Sequence, residues 1–154
     1  MDVETGRTVV GVARMVDPRG NRAYEPPEVF LRTHAPSRSA DSWAFGCLLA
    51  QRLRGESIFL CTTVAEHLVR LCLLLGFPSD AEARAVMSAE QLESLRGSAV
   101  HAATRGGPST PLAELLPTAS ISGLHLLQQC LRWDPATRIL PEAAVRHPCF
   151  LRAS

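Results

Sequence analysis

Histidine and cysteine are the residue types here that most readily bind metals or act as nucleophiles, and their spacing favours neither role. The number of cysteines is odd, and no two have the C-x-x-C spacing of a zinc or redox motif. No two histidines lie four residues apart with a carboxylate between them. We therefore expect no metal site and cysteines that act as small buried apolar residues. The residues are Cys47, Cys61, Cys72, Cys130, Cys149, His34, His67, His101, His125 and His147.

The chain contains no lysine, because all sixteen of its basic residues are arginines. Codon bias in a GC-rich genome is an ordinary cause of such a composition. Whatever the cause, no mechanism that needs a lysine can operate within this chain. Arginine replaces lysine neither as a titrating group nor as a compact phosphate contact.

Length and charge limit the class of protein. A chain of 154 residues predicts one domain with a sizeable core. A formal charge of +1 gives no strong field that would favour nucleic acid or a membrane surface. No apolar run is long enough to span a membrane, and the start at Met1-Asp2-Val3-Glu4 lacks the core of a signal peptide. We expect an intracellular protein, cytoplasmic or nuclear.

The hydrophobic pattern predicts a mainly α fold. The strongest helix is capped by Ser39 or Asp41 and ends at Gly55, and it is apolar over most of its circumference, so we expect it to be central and buried. The next helix begins with the capping box Thr63-Val64-Ala65-Glu66 and stops at Gly76. Residues 88–119 contain only weak helical patches and a loop. Shorter helices are expected over 27–31, 81–87 and 90–95, from Ser120 or Ser122 to Leu131, and from Pro141 to before Pro148, with a short strand at 8–10 and a turn at 18–21.

Four short motifs, in order and at wide spacing, resemble the C-terminal lobe of eukaryotic protein kinases. They are Tyr24-Glu25-Pro26-Pro27-Glu28, Asp41-Ser42-Trp43-Ala44-Phe45-Gly46, the run from Leu131 to Ile139, and Arg146-His147-Pro148-Cys149-Phe150. Leu74-Leu75-Gly76-Phe77-Pro78-Ser79 is similar to a segment of the mitogen-activated and cyclin-dependent kinases. The resemblance implies a helical C-lobe without the N-terminal β lobe. Residues 1–23 would be a remnant of the activation segment, and 24–154 the lobe, with an insert at about 77–119.

The resemblance also implies roles for individual residues. Glu28 would form a buried ion pair with Arg138, although two solvated charges would be the ordinary interpretation without the resemblance. Asp41 stands where the family has a carboxylate that accepts backbone N–H bonds, with a plain helix cap as the alternative. Trp43 and Gly46 would be packing positions. The candidate substrate-groove residues are Arg22 and Tyr24, although holding the loop is the more ordinary role for both.

The groups that carry phosphoryl transfer in kinases do not occur in this chain. Such transfer uses a glycine-rich loop, a strand lysine, a catalytic-loop Asp with its Asn, and a metal-binding Asp. No G-x-G-x-x-G and no His-Arg-Asp occurs. The segment from Val9 to Arg14 resembles the D-F-G-L-A-R run, and Val9 then replaces the metal-binding aspartate with a residue that has no oxygen ligand for Mg²⁺; the alternative for Val9-Val10 is a simple strand.

Three functions remain open from the sequence. The first is a non-catalytic kinase-like lobe that binds a protein partner, with no catalytic residues, no cofactor and no ATP binding. The second is a truncated piece of an active serine/threonine kinase of the mitogen-activated type. The third is an unrelated all-α interaction domain that matches the motifs by chance.

Overall fold

The chain is described by a computed structural model that covers residues 22–35 and 37–151. Within these residues it is helical and has no β-strand. Three short 3-10 turns, at Arg22–Tyr24, Pro135–Thr137 and Pro148–Phe150, accompany the helices. The α-helices are α1 (Pro27–Phe30), α2 (Arg38–Arg54), α3 (Val64–Leu75), α4 (Asp80–Val86), α5 (Ala89–Arg96), α6 (Ala99–Thr104), α7 (Leu112–Leu115), α8 (Ile121–Cys130) and α9 (Pro141–Ala144).

The long helix α2 organises the core. It packs against α8, against α9, and against the turns at Arg22–Tyr24 and Pro135–Thr137. Gly46 permits the closest approach, because a Cβ atom there would lie 2.8 Å from the Cβ of Cys130 on α8. The ring of Trp43 is fully buried and stacks on Phe59 at 5.6 Å. This helix therefore positions most of the other elements.

The expected caps of α2 were wrong, and its burial is less complete than expected although the helix is central. The helix begins at Arg38 with Ser37 at its N-cap, so neither Ser39 nor Asp41 caps it, and Asp41 lies exposed in the first turn. The helix is also not enclosed on all sides, because Phe45 and Leu48 remain 36% and 52% exposed. An apolar pattern around a helix indicates that each face favours burial. It does not show that another element of the chain packs against each face.

The caps and ends of the other long helices agree with their sequence signals. Thr63 accepts from the Glu66 backbone N–H, while the Glu66 side chain accepts from the Thr63 backbone, which completes the predicted capping box of α3. The same reciprocal pattern starts α4 at Ser79. Ser120 caps α8, and Gly55 ends α2 with a φ of 89°, a conformation that glycine adopts without strain.

Residues 88–119 are more helical than the sequence predicted. Helices α5, α6 and α7 occupy much of this segment, and neither α6 nor α7 was predicted. Tertiary contacts hold α6: the Phe77 backbone N–H donates to the Thr104 carbonyl at 3.1 Å, and the Phe77 ring lies 4.4 Å from that of His101. Such contacts outweigh weak local propensity.

Some expectations lie outside the residues that the structure describes. These are the strand at 8–10, the turn at 18–21 and the position of Val9. Of the cysteines, Cys47, Cys72 and Cys130 are buried, whereas Cys61 and Cys149 are half-buried. None of the helices in the described part of the chain has the length and apolar character needed to cross a membrane.

Candidate functional site

The structure brings Glu28 and Arg138 together, although 110 positions separate them in the sequence. Arg138 Nη1 donates to Glu28 Oε1 at 2.6 Å, and Nη2 donates to Oε2 at 2.7 Å. The exposed fractions of the two side chains are 2% for Glu28 and 0% for Arg138. The pair is therefore bidentate and desolvated, the arrangement in which the planar guanidinium matches a carboxylate best.

The remaining donors and the flat face of the guanidinium are also engaged. Arg138 Nε donates to the Arg132 carbonyl at 2.8 Å, and Nη2 donates to the Trp133 carbonyl at 3.1 Å. The guanidinium carbon lies 4.9 Å from the centre of the Trp43 ring, a cation–π distance. A buried charge needs hydrogen bonds in addition to its counter-ion, and Arg138 has both.

Local turns place the two charges. Glu28 belongs to α1, which starts with Pro27 at its first position after an extended Pro26. The Glu28 carbonyl accepts from the backbone N–H groups of Thr33 and His34, which folds the chain back after this short helix. On the other side, the Asp134 carboxylate accepts from the Ala136 N–H at 2.8 Å and orders the turn that leads to Arg138.

The other residues singled out in the sequence occupy different environments. Trp43 lies beneath Arg138, and Gly46 lies against α8. The Asp41 side chain makes no hydrogen bond or ion pair with any residue that the structure describes. The Tyr24 hydroxyl donates to Gln51 Oε1 on α2 at 2.6 Å, and burial raises the pKa of Tyr24. Arg22 is half-buried in the preceding turn.

A histidine pair was missed in the sequence. His125 on α8 and His147 before the last turn lie 22 positions apart, and His125 Nδ1 is 2.9 Å from His147 Nε2. The Cys149 N–H donates to His147 Nδ1 at 3.2 Å, and the Gln129 side-chain amide lies 3.1 Å from His125 Nε2, so both rings are also held on their outer sides. The pair ties the C-terminal turn to α8. No fixed spacing would have revealed it.

Buried histidine His67 forms part of the aromatic core. Its ring stacks on Phe30 at 4.4 Å and lies 5.4 Å from Phe59. Burial, with a smaller effect of the Arg22 charge, lowers the pKa of His67 to about 4. Within the part of the chain that the structure describes, its Nε2 atom has no hydrogen-bond partner, which is consistent with a neutral, packed ring.

Comparison with known proteins identifies the family. The family model for the protein kinase domain matches residues 2–150. This chain belongs to the protein kinase domain family. Among curated kinases, it is 31% identical to the mitogen-activated protein kinase spm1 of Cytospora mali over 127 residues, which cover 82% of this chain and 29% of that protein.

Further relatives come from the same kinase branch. The cell division control protein 2 homolog 3 of Trypanosoma brucei brucei is 33% identical over 127 residues, which are 82% of this chain and 39% of that kinase. A solved MAP kinase structure, LmaMPK10 of Leishmania major, superposes with a TM-score of 0.72 at 26% identity over 84% of this chain and 36% of that one. The chain is thus a MAP/CDK-type kinase domain with the helical C-lobe fold, and it spans less than two fifths of these relatives.

The kinase family implies Mg²⁺ and ATP, and the groups present in this chain do not fit them. The family's phosphate-contacting lysine has no counterpart, since the chain contains no lysine. Within residues 22–35 and 37–151, no group of three or more His, Cys, Asp or Glu side chains could hold a metal ion.

Proposed function

We propose that this chain is a non-catalytic, kinase-like C-lobe that acts as a protein-interaction module. The observation that supports it most is the contrast between two parts of the kinase signature. The buried Glu28–Arg138 pair, which holds the lobe together, is complete, whereas the chain has no lysine for the nucleotide. In this proposal Glu28, Arg138, Asp41, Trp43 and Gly46 are structural residues.

The organisation of the chain follows from the same proposal. Residues 1–23 correspond to a remnant of the activation segment, and residues 24–154 to the lobe, with the insert at about 77–119 built from helices α4–α7. Arg22 and Tyr24 lie at the start of the lobe as candidate groove residues. The partner is a protein rather than nucleic acid, because the formal charge is only +1. The module acts in the cytoplasm or nucleus.

The test is thermal unfolding of the purified chain with and without 1 mM Mg·ATP, with an active MAP kinase as positive control. A site with a Kd of about 10 μM would stabilise the fold by about 2.7 kcal/mol, which is roughly 5–10 °C for a domain of this size. We expect no shift and no phosphate transfer to a generic protein substrate. A shift of several degrees would contradict the proposal.

A second candidate function is a truncated piece of an active serine/threonine kinase of the mitogen-activated type. The chain's coverage of only 29–39% of the two curated relatives above favours it. The discriminating observation is the genomic sequence upstream of the first codon. An in-frame strand lysine and His-Arg-Asp segment that are transcribed with this chain would support the second candidate.

A further inference from the structure

Two histidine rings join the last 3-10 turn, Pro148–Phe150, to helix α8. His125 Nδ1 lies 2.9 Å from His147 Nε2. On the side of the turn, the Cys149 backbone N–H donates to His147 Nδ1 at 3.2 Å. On the side of the helix, the Gln129 amide lies 3.1 Å from His125 Nε2. A single chain of hydrogen bonds therefore runs from the backbone of the turn to α8.

The geometry of this pair favours a shared proton over a shared metal ion. The ring centres are 5.1 Å apart and the facing nitrogens 2.9 Å apart, so the two ring radii lie end to end and the nitrogens point at each other. Two imidazoles that bind one ion direct their lone pairs at a third point, about 2.0–2.1 Å from each nitrogen. Within the described residues, no group of three or more metal-ligating side chains could hold such an ion.

Each bond in this chain depends on the protonation of the rings. A neutral imidazole has one donor and one acceptor nitrogen, whereas an imidazolium has two donors. When both rings are neutral, the Cys149 N–H finds an acceptor at His147 Nδ1, and a single proton lies between His147 and His125. The Gln129 amide fits either neutral form of His125, since it offers both an oxygen and an N–H group.

Added protons remove these bonds. A proton on His147 occupies Nδ1, so the Cys149 N–H loses its acceptor. A proton on His125 leaves two N–H groups facing each other at 2.9 Å, unless His147 moves its own proton to Nδ1 and again loses Cys149. When both rings are cations, both contacts are lost. The bonds are therefore complete at high pH and are lost as pH falls through the range in which histidine titrates, around its ordinary pKa of about 6.5.

The elements that hold the rings supply no carboxylate for an added positive charge. Helix α8 and the last turn contain no Asp, Glu or Arg. Cys47 on α2 and Cys130 on α8 stay neutral thiols, because burial raises the pKa of both. Neither His125 nor His147 forms an ion pair with a described residue.

The neighbouring elements do not supply a net negative charge either. Arg38 pairs with Glu142, and Arg54 pairs with Glu56, so these residues cancel. The others are one acidic and two basic residues, which leaves the surroundings without a surplus of carboxylates to hold an imidazolium. The charged residues of α2 and of the segment that contains α9 are Arg38, Asp41, Arg52, Arg54, Glu142 and Arg146.

We propose that His125 and His147 form an acid-sensitive latch. The latch holds the last 3-10 turn on α8 while both rings are neutral, and it releases the turn when the rings take up protons. Release moves the half-buried Cys149 away from Gly123 and separates the ring of Phe150 from α2. The inference goes beyond the proposed function and is independent of it, because neither a nucleotide nor a partner takes part.

The test is NMR spectroscopy of the isotope-labelled full chain between pH 8 and pH 5. We expect the ring resonances of His125 and His147 to titrate together with the Cys149 amide resonance. The nuclear Overhauser contact between Cys149 and Gly123 should fall to less than half of its intensity. Ring titration with an unchanged Overhauser contact would overturn the inference.

The indole signals of Trp43 and Trp133 report the fold of the lobe, because both side chains are buried. They should stay constant over the same pH range. If they change together with the Overhauser contact, the whole lobe unfolds and the local latch is wrong.

Two variants separate the pair from a single titrating ring. His125→Asn places an uncharged oxygen near the position of Nδ1, so the midpoint of release should move to lower pH; an unchanged midpoint would overturn the role of the pair. His147→Asn keeps an acceptor for the Cys149 N–H, because asparagine is a preferred N-cap residue, but it takes up no proton. The Cys149 amide resonance should then be independent of pH, and a response like that of the wild type would contradict the latch.

The matched control is His34→Asn, which removes an exposed histidine that makes no side-chain contact with the pair. Its pH response should equal that of the wild type. Circular dichroism at pH 8 establishes that each variant is folded, and the wild-type titration decides the inference for any variant that is not.

Discussion

Replacing Arg138 with alanine is expected to lower the free energy of unfolding by roughly 3–5 kcal/mol. The change leaves the Glu28 carboxylate, 2% exposed, without its cation and both of its guanidinium hydrogen bonds. It also removes the donors to the Arg132 and Trp133 carbonyls and the charge beside the Trp43 ring. For a domain of this size, the loss corresponds to a fall in Tm of roughly 6–20 °C.

The measurement is urea and thermal unfolding followed by circular dichroism, with m-values to establish that the transitions are comparable. The matched control is Arg38→Ala. Arg38 pairs with Glu142, but the two side chains are 70% and 50% exposed, so less than about 1 kcal/mol should be lost. Arg138→Ala within 1 kcal/mol of the wild type would refute the account.

A double-mutant cycle separates the pair from its surroundings. Glu28→Leu alone leaves a buried guanidinium unpaired, whereas Glu28→Leu with Arg138→Met leaves no buried charge. The double variant should therefore lose less unfolding free energy than the two single variants lose together. The difference, which is the coupling free energy of the pair, should be at least about 1 kcal/mol. Strict additivity would mean that the two groups contribute independently.

The remaining predictions concern packing and pH. Gly46→Val should destabilise the fold by about 1–3 kcal/mol in urea unfolding, because even the Cβ would lie 2.8 Å from the Cβ of Cys130. The control is Gly106→Val, where an added Cβ meets nothing within 4 Å, so its unfolding free energy should be close to that of the wild type. His67 has a folded-state pKa of about 4 against an ordinary histidine pKa of 6.5, so the unfolded chain binds the proton first as pH falls. Stability should fall by about 3 kcal/mol between pH 6.5 and 4, and His67→Phe should abolish that part of the dependence; parallel pH curves for the two proteins would contradict it.

The capping signals were the best local predictors of this fold. A serine or threonine followed three residues later by glutamate satisfies two backbone donors within one turn, so Thr63 and Ser79 fix the starts of α3 and α4 without tertiary help. The start of α2 lacked such a signal, since Ser37 makes no side-chain cap. Helix α6 was missed because contacts with Phe77, distant in sequence, hold it.

The residues of the candidate site also differ in how far the sequence predicts their contacts. The Glu28–Arg138 contact was inferred only through a family resemblance, because nothing in the local sequence of either residue indicates a partner 110 positions away. Ser42 stands inside an apolar helical pattern, where a serine is ordinarily a tolerated polar residue. Only the structure reveals that its hydroxyl is buried without a partner among the residues that it describes.

Helix α2 carries its buried and its exposed side chains on different faces of one element. Trp43 and Gly46 are buried against Arg138 and α8, whereas Asp41 and Phe45 remain exposed. Because the ion pair and the contact with α8 depend on the buried face, substitutions there should lower the unfolding midpoint, while substitutions at Asp41 and Phe45 should change it little.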